Sequence, residues 1–315
     1  MIKEPLVSII IPVYNGSNFV KHAIDSALAQ TYKNIEVIVV NDGSRDDGAT
    51  EKICLSYGDK IRYIYKENGG VSSALNMGIK NMRGEYFSWL SHDDMYLPEK
   101  VEKQVEALKD TDGETLALCA FKCIDKDGND SGGVHRARLG MGNHSWNDAL
   151  CHMFINGTFN GCAFLIPKTV LDKVDPFDET LRYSQDELMW MNIFLAEYNI
   201  VGIDEELVCN RIHNGQLTQT GKALYHSDSE KISIKIIPKI ISKGEHVKEL
   251  LFAYARNSAK YNNKAVVKKC FAVSKEQRIL SFSQRMKIRL VSLYGSVRPM
   301  IRRIYYKLFK KVKTQ

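Results

Sequence analysis

Residues 7–16, VSIIIPVYNG, decide the fold class: a continuous apolar run ends abruptly in a polar loop. Four further short apolar runs follow, and segments with helical apolar spacing separate them. The apolar runs cover residues 6–13, 35–41, 61–66, 85–91 and 115–124, and the helical segments cover residues 17–29, 46–57, 71–82 and 97–109. Continuous apolar strands alternating with helices predict an α/β fold with a mostly parallel sheet, covered by helices on both faces.

The composition is that of a globular protein, with 44% hydrophobic and 26% charged residues in a chain of 315. Collagen-like, low-complexity and disordered classes are therefore excluded. The net charge of +7 is unevenly placed, because residues 281–315 hold ten Lys or Arg and no acid, whereas the other 280 residues hold 34 basic and 37 acidic groups. The positive charge thus indicates what the C-terminal segment could bind, and it gives no information about the fold. A nucleic-acid partner is not expected, since the remainder is slightly acidic.

The seven cysteines are odd in number and include no C-x-x-C pair, which predicts reduced thiols and a cytoplasmic location. The apolar run at the N-terminus is too short for a signal peptide, and no apolar stretch reaches the length of a membrane span. Residues 126–146 are rich in Gly and Asp and predict a long surface loop that could close over a ligand. Past residue 220 the pattern is helical and increasingly basic. We therefore divide the chain into an α/β region, 1–220, and a helical region, 221–315.

Polar side chains follow four of the predicted strands. They lie in PVYNG (12–16), NDGS (41–44), NGGVSS (68–73) and SHDD (91–94). Open parallel sheets bind ligands at the carboxyl ends of their strands, so these segments are candidates for a site. Neither a G-x-G-x-x-G after the first strand nor a Walker lysine loop is present, which disfavours dinucleotide and P-loop sites. Asp42 is either an acceptor for a base or ribose, or only a turn and helix cap.

Adjacent carboxylates at Asp93 and Asp94 repel each other unless a positive charge lies beside them. They are either ligands for Mg²⁺ or Mn²⁺ bridging a diphosphate, or a helix N-terminal pair. Asp186 starts another helix, as a cap or as a general base facing a cleft. Arg211 and His213 follow a strand and supply a cation, a metal ligand or only structural contacts.

Together these segments resemble the inverting family-2 glycosyltransferases, of non-processive bacterial type, which have the GT-A fold. The resemblance covers roughly residues 5–220. It is carried by VSIIIPVYNG (7–16), QTYKNIEVIVVNDGSRDD (30–47), NGGVSSALNMGI (68–79), GEYFSWLSHDD (84–94), DPFDETLRYSQDELMW (175–190) and NRIH (210–213).

The resemblance implies a site for a nucleotide-diphosphate sugar, with UDP as the expected nucleotide. The nucleotide and donor side would include Pro12, Tyr14, Asn15, Asp42, Gly70, Ser73, His92 and Asp93. Mn²⁺ or Mg²⁺ would be held by Asp93, Asp94 and His213. Asp186 matches the catalytic base, which would deprotonate an acceptor hydroxyl as it displaces the nucleoside diphosphate with inversion. The acceptor would be a growing surface glycan or a lipid-linked saccharide.

Three departures from the family pattern bear on these roles. Ser91 stands where the first Asp of an Asp-x-Asp often lies, Leu75 stands where an Arg often follows Ser-x-Ala, and Gln185 stands where a Glu often precedes the catalytic Asp. The Q-x-x-R-W signature of processive synthases is missing, so single addition is expected. Alternatives are a catalytically impaired sugar-nucleotide-binding or membrane-associated scaffold protein, and a nucleotidyltransferase. The latter would need a basic loop after the first strand, where PVYNG has none.

The C-terminal segment predicts two helices, with a stop and restart at Gly295 and Ser296. On the second, an apolar stripe lies opposite basic side chains, a pattern typical of helices on anionic membrane surfaces. The stripe comprises Val297, Ile301, Ile304, Tyr305, Leu308 and Val312. A helix packed on the α/β region with a solvated basic face is the alternative. We expect a peripheral location at the inner face of the plasma membrane.

Overall fold

The computed structural model describes residues 4–135, 139–213, 215–216 and 224–309, with the side chains of 132–135 and 297–309 excepted. It divides into two compact units. The first comprises Met1–Ala149 with Thr158–Tyr225, and the second comprises Leu150–Gly157 with His226–Gln315. The boundary predicted at residue 220 lies outside the described residues, as do Lys310–Gln315 of the predicted tail helix.

Ten strands and eleven helices are formed by the described residues. The strands are β1 Val7–Val13, β2 Ile35–Asp42, β3 Arg62–Lys66, β4 Tyr86–Trp89, β5 Met95–Tyr96, β6 Leu116–Ile124, β7 Asp130–His135, β8 Gly142–His144, β9 Phe164–Pro167 and β10 Ile200–Arg211. The helices are α1 Val20–Leu28, α2 Ala49–Leu55, α3 Val71–Asn81, α4 Lys100–Leu108, α5 Trp146–Asn156, α6 Lys168–Leu171, α7 Gln185–Leu195, α8 Tyr225–Ile241, α9 Val247–Lys260, α10 Lys264–Glu276 and α11 Phe282–Phe309.

The strand that opens the sequence lies inside the sheet. Every residue of β1 is buried, and β1 pairs in parallel with β2 on one side and with β4 on the other. β3 extends this parallel half by pairing with β2. The continuous apolar runs are therefore explained by strands covered on both faces, as predicted. The carboxyl ends of these four strands meet at one edge, and the polar segments that follow them gather there.

The other half of the sheet is mixed. Its order continues from β4 through β9, β6 and β10 to β5. β9 runs antiparallel between β4 and β6, β10 is parallel to β6, and β5 is antiparallel to β10. The α/β class and the flanking helices agree with the sequence prediction, and the parallel pairing expected for the whole sheet describes its first half and the pair of β6 with β10.

The long loop predicted over residues 126–146 is wrong in part. β7 pairs antiparallel with β6, and β8 pairs antiparallel with β10, so much of this segment belongs to the sheet. The prediction failed because Gly- and Asp-rich strands lack an apolar period, and their hydrogen bonds depend on partners elsewhere in the chain. Residues 136–138, between the two strands, lie outside the described part of the chain. The closure of residues 126–146 over a ligand stays a prediction.

The second unit is helical, and the break predicted within its last helix is wrong. α11 runs continuously for 28 residues through Gly295. Gly295 is buried, and a Cβ there would overlap the carbonyl oxygen of Ala259 in α9. The glycine thus permits a close approach between two helices instead of ending one. No helix among the described residues is long and apolar enough to cross a membrane. All seven cysteines are free, and six are buried.

Candidate active site

Asp42, the last residue of β2, anchors the loop that follows β3. Its buried carboxylate accepts from Lys66 Nζ (2.7 Å) and the Gly69 N–H (2.9 Å) at Oδ1. Oδ2 accepts from Asn68 Nδ2 (3.1 Å) and the Gly70 N–H (2.7 Å). Four donors satisfy the four lone-pair positions of a carboxylate. The carboxylate therefore anchors this loop, because a buried charge needs such partners, and its role in binding the base stays a prediction.

The loop itself has a backbone that only glycine adopts readily. Gly70 has φ of 91° and ψ of 169°, a region essentially restricted to glycine. Ser73 lies beneath the loop, where a Cβ on Gly69 would come within 2.7 Å of its Oγ. Arg182 lies over the loop, with Nη1 3.4 Å from the Gly69 carbonyl oxygen. The expected donor residues Gly70 and Ser73 are thus held on a tightly built loop with a cationic side chain beside it.

The loop after β1 is cross-linked to the loop after β2. The Asn15 N–H donates to Ser44 Oγ (2.9 Å), and the Arg45 N–H donates to Asn15 Oδ1 (2.7 Å). Asn15 has a left-handed backbone with φ of 49°, which its short polar side chain tolerates. Tyr14 is exposed at the same strand end, whereas Pro12 is buried within β1. Tyr14 and Asn15 thus lie directly after β1, where the two loops are joined.

Asp93 and His213 meet although 120 residues separate them. The Nε2 of His213 lies 3.1 Å from Asp93 Oδ2, and Gln216 Nε2 lies 3.2 Å from the same oxygen. The ring of Phe19 packs on the imidazole, with centroids 4.9 Å apart. The neighbouring His92 ring lies against Gly16, and burial lowers the pKa of His92. The structure thus brings Asp93 and His213 together, and their role in holding a metal stays a prediction.

Asp94 points into the protein and is committed to structural hydrogen bonds. Oδ1 accepts from Asn210 Nδ2 (2.9 Å) and the Arg211 N–H (2.8 Å), and Oδ2 lies 3.3 Å from Cys162 Sγ. Burial, with Asp93 next to it, raises the pKa of Asp94 to about 7. Both oxygens are therefore engaged by the end of β10 and by Cys162, and the role of Asp94 as a metal ligand stays a prediction.

Arg211 is buried behind Asp93 and binds backbone carbonyls. Its Nε donates to the Asp93 carbonyl (2.9 Å), and Nη1 donates to the carbonyls of Asp125 (3.1 Å) and Lys126 (3.0 Å). The guanidinium lies 4.8 Å from the centre of the Phe19 ring. Of the alternatives left open by the sequence, the contacts favour positioning: Arg211 fixes the backbone of Asp93 between β4 and the turn that follows β6.

Asp186 lies in the first turn of α7, where its Oδ1 accepts from the Glu187 N–H at 2.8 Å. Burial raises its pKa to about 6, an effect that the backbone donors oppose. The helix is anchored by Trp190, whose fully buried ring lies 4.2 Å from that of Phe164 and 6.3 Å from that of Phe177. The packing therefore holds a carboxyl group with the pKa of a base that works near neutral pH.

Asn76 ties the segment before α7 to helix α3, a link that the sequence did not reveal. Its Nδ2 donates to the Phe177 carbonyl (2.9 Å) and to Glu179 Oε1 (3.0 Å), while its Oδ1 accepts from the Phe177 N–H (3.0 Å). Ser72 Oγ adds a bond to the Asp178 carbonyl (3.1 Å). Because α3 begins directly after the Gly69–Gly70 loop, this loop and the segment leading to Asp186 form one connected structure. Asn76 lies within the NGGVSSALNMGI motif, which was its only sequence signal.

The donors on Asp93 and His213 fit a divalent cation only in part. Carboxylate oxygen and imidazole nitrogen both suit Mn²⁺, and oxygen suits Mg²⁺. Among the described residues, however, no cluster of three or more His, Cys, Asp or Glu could hold an ion by itself. A cation at this position would therefore need further oxygens, which the phosphates of a nucleotide donor would supply.

Comparison with known proteins agrees with this geometry. Residues 8–174 match the model of the glycosyl transferase family 2. An uncharacterised glycosyltransferase of Rickettsia typhi is 49% identical over 222 residues, which are 69% of this chain and 67% of that protein. The glycosyltransferase GlyG of Streptococcus pneumoniae is 27% identical over 223 residues, 68% of this chain and 73% of that protein.

The fold is similar to that of S. aureus TarS 1–349 in complex with UDP-GlcNAc. The TM-score is 0.66 at 18% identity, covering 80% of this chain and 71% of that one. The structure of TarS 1–349 with UDP gives 0.64 at 17% identity, covering 81% of this chain and 71% of that one. The sheet, its polar edge and the family match together lead to one conclusion: the chain is a glycosyltransferase that belongs to glycosyl transferase family 2.

Proposed function

We propose that the protein transfers a sugar from a nucleotide-diphosphate sugar to an acceptor hydroxyl with inversion, and that Asp186 is the general base. The observation that carries this proposal is the Asp186 carboxyl group, with its pKa raised to about 6, on a segment bonded to helix α3. A base is most effective when its pKa lies near the working pH. The segment that precedes α7 is also bonded to α3, the helix that begins directly after the Gly69–Gly70 loop.

The reaction is a single displacement. The acceptor oxygen forms a bond to the anomeric carbon while its proton passes to a carboxylate oxygen of Asp186. The bond between that carbon and the diphosphate oxygen breaks, and the nucleoside diphosphate leaves with the electron pair. Attack and departure occur on opposite faces of the sugar, so the configuration inverts. Arg182, beside Gly69 and Gly70, offers a positive charge at the donor loop.

Asp93 and His213 would hold Mn²⁺ or Mg²⁺, which would neutralise charge on the departing diphosphate. Gln216 and Arg211 keep Asp93 in place from opposite sides, one bonded to its carboxylate and one to its carbonyl. Asp94 contributes indirectly, by holding the end of β10 from which His213 follows. The protein would thus supply the Asp93 carboxylate and the His213 imidazole for the metal, and the residues around them hold both groups in place.

We infer that the nucleotide is UDP. Two of the similar structures are complexes of TarS 1–349, one with UDP and one with UDP-GlcNAc, which supports a uridine donor here. Tyr14 is exposed directly after β1 and would line the base pocket, together with Pro12, Asn15 and His92. The Asp42 carboxylate would act on the nucleotide through the Gly69 and Gly70 backbone that it positions.

We also propose that the acceptor is a glycan or lipid-linked saccharide at the inner face of the membrane. Support comes from the charge distribution, since residues 281–315 carry ten cationic side chains and no acid. Such a segment is attracted to anionic lipid, which would place the enzyme where lipid-linked acceptors reside.

The test of the catalytic proposal is Asp186→Asn, with Glu187→Gln as its matched control in the same helical turn. We expect Asp186→Asn to lower transfer by about 10²–10⁴-fold, which is the usual contribution of a positioned base. UDP affinity, measured by calorimetry with Mn²⁺ present, should stay within about twofold of wild type, because Asp186 contacts the acceptor side. Glu187→Gln should keep most of the activity.

Transfer by Asp186→Asn within about tenfold of wild type would show that Asp186 is not the base. A wild-type protein that binds UDP but neither transfers nor hydrolyses any UDP-sugar would support the binding-protein alternative. The stereochemistry is read separately from the anomeric configuration of the product by NMR, and a retained configuration would contradict single displacement.

A further inference from the structure

Helix α11 packs within the second unit through a narrow face. Ile288 is fully buried, and Gly295 lies against the end of α9, where a side chain would meet the Ala259 carbonyl. Ser296 Oγ adds a hydrogen bond to Asn262 Oδ1 at 3.0 Å. At about 100° per residue, Ile288 and Gly295 lie within about 20° of each other on the helix. These contacts define the packed side of α11.

The opposite side is apolar and exposed. Four side chains on it are between 36% and 71% exposed: Phe282, Met286, Leu290 and Leu293. The same spacing places all four within an arc of about 80° centred roughly opposite Ile288. A helix of a globular protein normally turns its apolar stripe toward the core. On α11, these four apolar side chains instead face away from the packed side. We call the four residues, together with exposed Tyr294 at their edge, the outer face.

Cationic residues border the outer face on both sides. Lys287 lies on one border by helical position and Arg289 on the other, and both are exposed. No acid occurs in the sequence after Glu276. An apolar stripe with a cation on each border matches an anionic bilayer, in which apolar groups enter the acyl boundary while the cations meet the headgroups.

We propose that the outer face is the surface by which this protein docks on anionic lipid, with α11 lying in the membrane plane. This extends the membrane location within the proposed function, and it assigns the contact to residues 282–294, upstream of the stripe that the sequence predicted. A second copy of the chain is a poorer occupant. A two-fold pair of outer faces would bring the bordering cations of both copies close together, and like charges at an interface oppose association.

The test is co-sedimentation of the full chain with vesicles of phosphatidylcholine alone and of phosphatidylcholine with 30 mol% phosphatidylglycerol. We expect binding only to the anionic vesicles, weakened by salt. The variant Phe282→Ser/Leu290→Ser/Leu293→Ser should abolish binding. Lys287→Gln/Arg289→Gln should weaken it roughly 25-fold, since each cation near such a surface contributes about fivefold. Ile234→Ser, at an exposed apolar residue of α8, is the matched control and should bind like wild type.

The docking proposal is overturned if the wild type stays in the supernatant with anionic vesicles, or if the triple variant sediments as wild type does. It is also overturned if light scattering shows a wild-type dimer that the triple variant converts to monomer, because the outer face would then be a contact between copies. UDP binding and thermal unfolding of the triple variant should be unchanged, since all three side chains are exposed. Asp186→Asn should sediment normally, so failure of docking and failure of the catalytic assignment are distinguishable.

Discussion

Lowering the pH should switch off transfer well before it would in an enzyme with an ordinary aspartate base. Burial raises the pKa of Asp186 from 3.8 to about 6. The carboxylate must be ionised to accept the acceptor proton, so the active fraction falls as the pH drops through that value. The structural reason is the burial of the carboxyl group in the first turn of α7, where backbone donors only partly offset the loss of water.

The magnitude follows from the two pKa values. With a pKa of about 6, roughly 99% of Asp186 is ionised at pH 8 and roughly 9% at pH 5, so the rate at saturating donor should fall about tenfold. With the ordinary value of 3.8, roughly 94% would remain ionised at pH 5, and the rate would hardly change. The two cases are readily separated in a single pH series.

The assay is the single-turnover rate of sugar transfer from pH 5 to 8, at constant ionic strength and saturating UDP-sugar and Mn²⁺. UDP affinity is measured over the same range, because Asp94 lies beside Asp93 and its pKa of about 7 falls in this window. The residual rate of Asp186→Asn should not fall toward pH 5, so its pH profile should lack the acidic limb that the wild type shows. A rate that stays flat down to pH 5, or a limb that persists in Asp186→Asn, would refute the assignment of this limb to Asp186.

Three further predictions concern stability and the donor loop. Because folding raises the pKa of Asp186, the stability that its proton provides is lost as the pH rises from 3.8 through about 6. Asp186→Asn should therefore have a higher free energy of unfolding than wild type at pH 8, by up to roughly 3 kcal/mol, as measured by urea titration. Equal urea midpoints for the two proteins would contradict the burial argument. Gly70→Ala should lower the free energy of unfolding by about 1–3 kcal/mol and weaken UDP binding, because a φ of 91° with a ψ of 169° is a strained backbone conformation for any residue with a side chain. Gly48→Ala, at φ of 77° with no neighbouring atoms, should leave UDP affinity unchanged, and calorimetry showing equal losses would refute a specific role for the loop. Asn76→Ala should lower kcat at least about tenfold with little change in donor KM, since it releases Phe177 and loosens the base. Steady-state kinetics showing a purely KM effect would argue against positioning.

Local pattern was enough to predict much of the first unit. β1 begins one residue from its predicted start, and α3 starts at Val71, as expected. These elements were predictable because a strand buried on both faces needs a continuous apolar run, and a helix needs its own period. The mixed half of the sheet was not predictable in the same way. Pairing of β7 with β6 and of β8 with β10 is a long-range choice that Gly- and Asp-rich strands do not signal.

Residue type was enough to predict which polar side chains lie at the edge of the sheet, but it did not predict the hydrogen-bond partners of each one. Asp42, Asp93 and Asp94 all lie at or after strand ends, but their side chains have different partners, and Asp93 is the one that contacts His213. The carboxylates of Asp42 and Asp94 accept hydrogen bonds from segments that are distant in the sequence. A carboxylate that is buried must find donors, and which donors reach it depends on how loops converge in three dimensions.

The sequence by itself determined the α/β class, the polar edge of the sheet, Asp186 at the start of a helix, and the cationic C-terminal segment. Only the tertiary structure decided that Asn76 couples the donor loop to the segment carrying Asp186, and that Gly295 joins two helices instead of ending one. It also decided that the apolar side of α11 faces outward. Periodicity along a chain reveals which side chains share a face, but the direction of that face depends on the neighbours against which the helix packs.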